Sequence, residues 1–137
     1  MGLLDKLNKS KDLLLYDEFE SWMNNVFQND ISDEVCAINF NIYEDADGRW
    51  SLEVVGTSSF DENDEDWACD EVTDFNTRDN MFVWKQDISW KEALSSVKDI
   101  ISKYLEIGEY SYILKNLDGV ACGFVDGNLE IIHIKDE

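Results

Sequence analysis

Proline is absent from all 137 residues, so every turn has to be built from Gly, Asn or Asp. Histidine occurs once, as His133, in a stretch patterned as a strand. A lone strand histidine is more often packed or solvated than catalytic. The three cysteines, Cys36, Cys69 and Cys122, are odd in number and form no C-x-x-C pair. That argues against a disulfide framework and against a zinc site. Cys36 and Cys122 lie in apolar runs and are expected as buried free thiols in a reducing compartment. No apolar run approaches the ~20 residues of a membrane span. The start, Met1-Gly2-Leu3-Leu4-Asp5-Lys6, lacks a signal-peptide core, and Lys6 stands where a myristoylation motif needs Ser or Thr. A cytoplasmic, membrane-free protein is the expectation.

Bases are scarce and unevenly placed. Lys and Arg number 11 against 31 Asp and Glu, a formal net charge of −20. From Asp12 to Thr77 there are 19 acids and one base, Arg49, so this stretch alone supplies −18. Such a surface repels nucleic acid and anionic membrane and attracts basic proteins and cations. Apolar residues nevertheless make up 44% and aromatics 12%, too many for a disordered acidic tail. One domain spanning 1–137 is expected, with a flexible terminus over 1–11.

Residues 12–28 carry Leu15, Phe19, Trp22, Met23, Val26 and Phe27 at helical spacing, with Asn29-Asp30 as a stop. Cys36, Ile38, Phe40 and Ile42 alternate as one face of a strand. After a turn at Glu44-Asp45-Ala46-Asp47-Gly48, Trp50, Leu52 and Val54 form the second arm of a hairpin. Met81 to Trp84 reads as a third strand. Ser89 with Glu92 makes a capping-box pattern. Trp90, Ala93, Leu94, Val97, Ile100, Ile101, Tyr104 and Leu105 then form one stripe, closed by Gly108. Gly119 to Val125 is patterned as a buried strand, Asp126-Gly127 as a tight turn, and Leu129 to Ile134 as its hairpin partner. The fold class that follows is α+β, a mainly antiparallel sheet of about five strands packed with two amphipathic helices.

Between them, residues 57–80 hold the densest acid and read as a long, partly ordered loop excursion. From Phe60 to Asp79 nine acids and one base are interleaved with Phe60, Trp67 and Phe75. Carboxylates pair with Arg and Lys, and an aromatic supplies a desolvated anchor. The candidate partner-binding residues are therefore Asp61, Glu62, Asp64, Glu65, Asp66, Trp67, Asp70, Glu71 and Asp74. The alternative is a solvated loop in which Trp67 simply caps the core.

Catalytic signatures are missing: there is no G-x-S-x-G, no P-loop and no G-x-G-x-x-G. Gly119, Gly123 and Gly127 are spaced by four, but in a strand and its turn. Asp45-Ala46-Asp47-Gly48 resembles a piece of an EF-hand loop, yet Val54 stands where the bidentate Glu belongs. Neither a catalytic residue nor a metal or other cofactor is expected. A metal-dependent enzyme using Asp45, Asp47 and Glu53 remains a weaker alternative.

Val54-Val55-Gly56-Thr57, then Asp66-Trp67-Ala68-Cys69-Asp70-Glu71, Tyr104-Leu105 and Gly119 through Gly127 resemble the small acidic immunity proteins encoded beside bacterial polymorphic toxins. The likeness spans much of residues 35–134. It implies a small cytoplasmic inhibitor, a monomer or small homo-oligomer, that binds a cognate basic toxin domain, often a nuclease, and neutralises it without chemistry of its own. The competing reading is an acidic nucleic-acid mimic, in which carboxylates imitate phosphates to occupy DNA-binding proteins.

Overall fold

The computed structural model describes residues 15–28 and 31–135, the side chains of Thr73 and Asp74 excepted. The expectations for residues 1–11, for a helix start at 12–14 and for the Asn29-Asp30 stop lie outside the described residues.

Helix α1 covers 15–26. Its apolar stripe is buried, with Phe19 and Met23 fully enclosed and Tyr16, Trp22 and Phe27 close behind, while Asp17 and Glu18 face out. Strands β1 (Ala37–Glu44) and β2 (Arg49–Thr57) form the expected hairpin, from Ala37 opposite Thr57 to Glu44 opposite Trp50. β3 (Glu71–Asn76) and β4 (Phe82–Lys85) follow, then helix α2 (Trp90–Ile107), a short α3 (Ser111–Asn116), and the strands β5 (Gly119–Phe124) and β6 (Glu130–Ile134).

Among the described residues the sheet has six strands in the order β3-β2-β1-β5-β6, with β4 also on β2. β3 and β4 share one edge of β2: β3 pairs at Val55 and Thr57, β4 from Arg49 to Leu52. Pairing is antiparallel except at the centre, where β1 and β5 run parallel from Ala37 opposite Gly119 to Ile42 opposite Phe124. The crossover through α2 and α3 makes that parallel pair possible.

Two expectations need correction. The excursion over 57–80 is not a loop throughout: it contains β3 and a 3-10 turn at Glu65–Cys69. A register shift between Val55 and Thr57 breaks the alternation, so Val72 and Phe75 both reach apolar surroundings at a spacing of three. Cys36 is half-buried rather than enclosed, and its thiol donates to the Ser58 carbonyl at 3.1 Å. Cys122 is buried, as expected.

Both long helices cover the same sheet face. Ile38, Phe40, Ile42, Trp50, Leu52, Val54, Phe82, Trp84, Val120 and Cys122 meet α1 and α2 in one core. Phe19 sits at its middle, edge-on to Phe82 at 5.7 Å and to Tyr104 at 6.2 Å between ring centroids. Pairs of this geometry contribute about 0.5–1.5 kcal/mol each beyond area burial. Tyr104 also carries the polar tie between helices. Its hydroxyl donates to Asn24 Oδ1 at 2.8 Å and accepts from the Tyr110 N–H at 3.2 Å. Ser89 caps α2 by accepting from the Glu92 N–H at 3.2 Å. At the other end Gly108 has φ −68, so space rather than dihedral angle requires the glycine. A Cβ there would lie 2.6 Å from the Tyr104 ring.

Gly108→Ala is therefore expected to lower the unfolding free energy by about 1–3 kcal/mol in urea titration, and Tyr104→Phe by about 1–2 kcal/mol.

Burial pushes the Tyr104 phenol up to about 12 and the Cys122 thiol up to about 12. The unfolded chain releases these protons at lower pH than the fold does, near 10 for tyrosine and 8.5 for cysteine. Stability is thus fully present below about pH 8 and falls as pH rises through 9 to 12, which alkaline denaturation curves will read. In the same range iodoacetamide should label exposed Cys69 well before Cys122.

Candidate protein-interaction surface

Among the described residues, no α-helix packs on the second face of the sheet. It presents Ala37, Asn39, Asn41 and Tyr43 on β1 beside Ser51, Glu53, Val55 and Thr57 on β2, as the strand register requires. What covers it comes from the acidic segment. Ser58 N–H donates to the Asp70 carbonyl at 2.8 Å and Ser59 Oγ to Asp70 Oδ2 at 2.6 Å, closing residues 58–70 into a compact loop. Trp67 is 4% exposed and packs on Ala37 and Ala121, with Phe60, Ala68 and Leu129 around it. Phe60 meets it edge-on at 5.0 Å. Gly119 makes room for that pair, because a Cβ there would lie 2.2 Å from the Phe60 ring.

With its aromatics turned inward, the loop turns its acids outward. Asp61, Glu62, Asp64, Glu65, Asp66 and Asp70 are all exposed. Several shape the loop with one oxygen. Asp61 Oδ1 accepts from the Asn63 N–H at 2.9 Å, Asp64 Oδ1 from the Asp66 N–H at 3.0 Å, and Glu65 Oε1 from the Leu129 N–H at 3.2 Å. These bonds order the backbone but leave the negative charge in place. Among the described residues the ion pairs are Arg78 with Glu53, Arg78 with Glu71, and Lys98 with Glu130, so none neutralises these six acids.

The other candidates divide. Trp67 adopts the core-capping role, holding the acidic loop down rather than facing a partner. Glu71 is engaged by Arg78, whose Nη2 approaches its carboxylate oxygens at 2.5 and 2.6 Å. The Asp74 side chain lies outside the described residues.

On the same sheet face is a polar cluster around Glu53 that sequence reasoning missed. Glu53 is 1% exposed. It accepts from Asn41 Nδ2 at 2.9 Å, the Tyr43 hydroxyl at 3.2 Å and Arg78 Nε at 3.0 Å. Hydrogen bonding to Glu71 leads the rise of the Arg78 guanidinium above its usual range, which keeps it charged. Burial first, and then the Glu53 charge, push the Tyr43 phenol up. Asn39 Nδ2 donates to Asn41 Oδ1 at 2.9 Å, while its own Oδ1 is buried without a partner. Glu53 lies between Leu52 and Val54, so alternation puts it on the face away from the main core, and no local signal marks its burial. Asp45 and Asp47 are exposed, and Asp45 instead accepts from the Ser51 hydroxyl, so the structure does not gather Asp45, Asp47 and Glu53 into a metal cluster. Among the described residues no set of three or more His, Cys, Asp or Glu could hold a metal ion.

Comparison with protein-family models, curated proteins and solved structures finds no match to this chain.

Trp67→Ala is expected to destabilise by about 3–5 kcal/mol and to open residues 58–70 to limited proteolysis before global unfolding. Arg78→Ala strands the Glu53 carboxylate without its cation. Because Arg78 is half exposed and Asn41 and Tyr43 still donate to Glu53, chemical denaturation should show a loss of about 1–3 kcal/mol.

Proposed function

We propose that this chain is an immunity-type inhibitor, which binds a basic toxin domain, a nuclease, and neutralises it by protein–protein contact. The observation that carries the reading is the closed 58–70 loop, which holds six exposed carboxylates in an ordered array with no cation of the chain's own among the described residues. Holding like charges together costs self-repulsion, which a basic partner would relieve. Ordering the loop in advance also lowers the entropy lost on binding. A nuclease domain is basic because it must hold phosphates, so the charge signs match and association would be electrostatically steered. On this reading the protein acts in the cytoplasm, as a monomer or small homo-oligomer, and performs no chemistry. His133 suits a structural part, with its ring 3.4 Å from the Lys115 carbonyl.

The test is capture from the source cell, with the product of the neighbouring gene included, at low and high salt. One basic protein retained, with its toxicity suppressed, is the expected outcome. Combining Asp64→Asn, Glu65→Gln, Asp66→Asn and Asp70→Asn keeps the side-chain oxygens that cap the loop while removing four charges. It should slow association roughly ten-fold at low salt, with little change in dissociation. Capture of many unrelated DNA-binding proteins would point to nucleic-acid mimicry instead. A neutral partner touching only residues 78–137 would refute the electrostatic account.

A further inference from the structure

A cleft of about 470 Å³ opens at the far end of β1 from the acidic loop. Trp67 lies over Ala37, at the start of β1, while the cleft begins at Ile42 and runs to Asp45. At ~3.3 Å per residue along the strand, the two are roughly 20 Å apart. The cleft's apolar wall is Trp90, at the start of α2, against Phe124, at the end of β5, with Val125 beside them. The two rings meet edge-on at 6.1 Å and 79°. Trp90 is 53% exposed and Val125 51%, so this apolar wall is open to solvent. Around this wall stand Glu44, Asp45 and Asp126, all exposed and each contributing to the lining.

An aromatic face bounded by carboxylates selects for one chemistry. A neutral apolar side chain would leave the acids without a partner, and an anion would be repelled by them. A cation satisfies both parts, through the ring quadrupole and through charge-assisted hydrogen bonds. Trp90 already draws one cation, since the Lys91 ammonium sits 5.6 Å from its ring centroid. A guanidinium is better suited than an ammonium, being planar, less strongly hydrated and able to stack while donating in its plane. The positive end of α2 does not oppose this strongly, because Ser89 and Glu92 occupy its first turn.

We propose that this cleft receives an arginine side chain presented by the protein partner. The partner's identity rests on the inhibitor reading; the chemistry of the cleft does not. The two surfaces divide the work. The 58–70 loop accelerates encounter through charge, and the cleft supplies a desolvated anchor that slows departure.

The test uses the full chain labelled with ¹⁵N, titrated with N-acetyl-arginine amide and, in parallel, with its neutral isostere N-acetyl-citrulline amide. Saturable shifts confined to the Trp90 indole N–H and the backbone amides of 124–127 are expected with arginine alone. Asp126→Asn should weaken the response roughly two- to five-fold, and Trp90→Ala should abolish it, with the other indole signals showing that the fold is intact. No shift at these positions, or an equal shift with citrulline, overturns the proposal. The two readings fail separately: a cleft that ignores arginine leaves the acidic loop's partner standing, and an arginine response persists even where no basic toxin is captured.

Discussion

The Glu53–Arg78 ion pair is the interaction on which the sheet face away from α1 and α2 depends. Glu53 lies mid-strand on β2, almost wholly removed from water, where an uncompensated carboxylate would be severely destabilising. Arg78 comes from the connection between β3 and β4 and reaches Glu53 with Nε and Glu71 with Nη2. One guanidinium therefore ties a central strand, an edge strand and the link between two edge strands. Arg78 is half exposed, so the pair's own net contribution is small, but its loss would leave the buried Glu53 charge without its cation. In a chain so poor in bases, the first cation after Arg49 is committed to this inward task.

That commitment shapes the outer surface. Arg78 serves Glu53 and Glu71, and the acids at 61–70 keep their charge facing solvent. The loop that carries them is held by apolar contacts instead, Trp67 and Phe60 packing on Ala37 and Ala121. Order comes from the aromatics together with single oxygens of Asp61, Asp64, Glu65 and Asp70, while the carboxylates alone present the field. An acidic surface built this way holds its shape with no counter-ion from the chain among the described residues.

Elements defined by local signals were legible in the sequence. Helix α2 announced itself by a capping pair, an apolar stripe and a terminal glycine, the first hairpin by alternation and the second by a buried apolar run, each broken at a Gly-containing turn. The elements that escaped depend on distant residues. β3 is hidden by a register shift that puts Val72 and Phe75 out of alternation, and α3 spans only Ser111–Asn116, too short for a periodic signal. The parallel β1–β5 pair joins strands about 80 residues apart, which no hairpin pattern reports. For the candidate surface, the exposure of the acids followed from their density, but the inward side of Trp67 did not, because its sequence neighbours are all acidic or small. The Glu53–Arg78 pair spans 25 residues. The Trp90 cleft assembles β1, α2 and β5, so neither could be seen along the chain.

The most direct measurement is zero-length carbodiimide coupling within the captured complex, which joins a carboxylate to a lysine only where the two already touch. Mass spectrometry should place the cross-links on Asp61, Glu62, Asp64, Glu65, Asp66 and Asp70, joined to lysines of a basic partner. Cross-links confined to acids outside residues 58–70, or a complex that yields none, would contradict the claim that this ordered acidic loop is the docking surface.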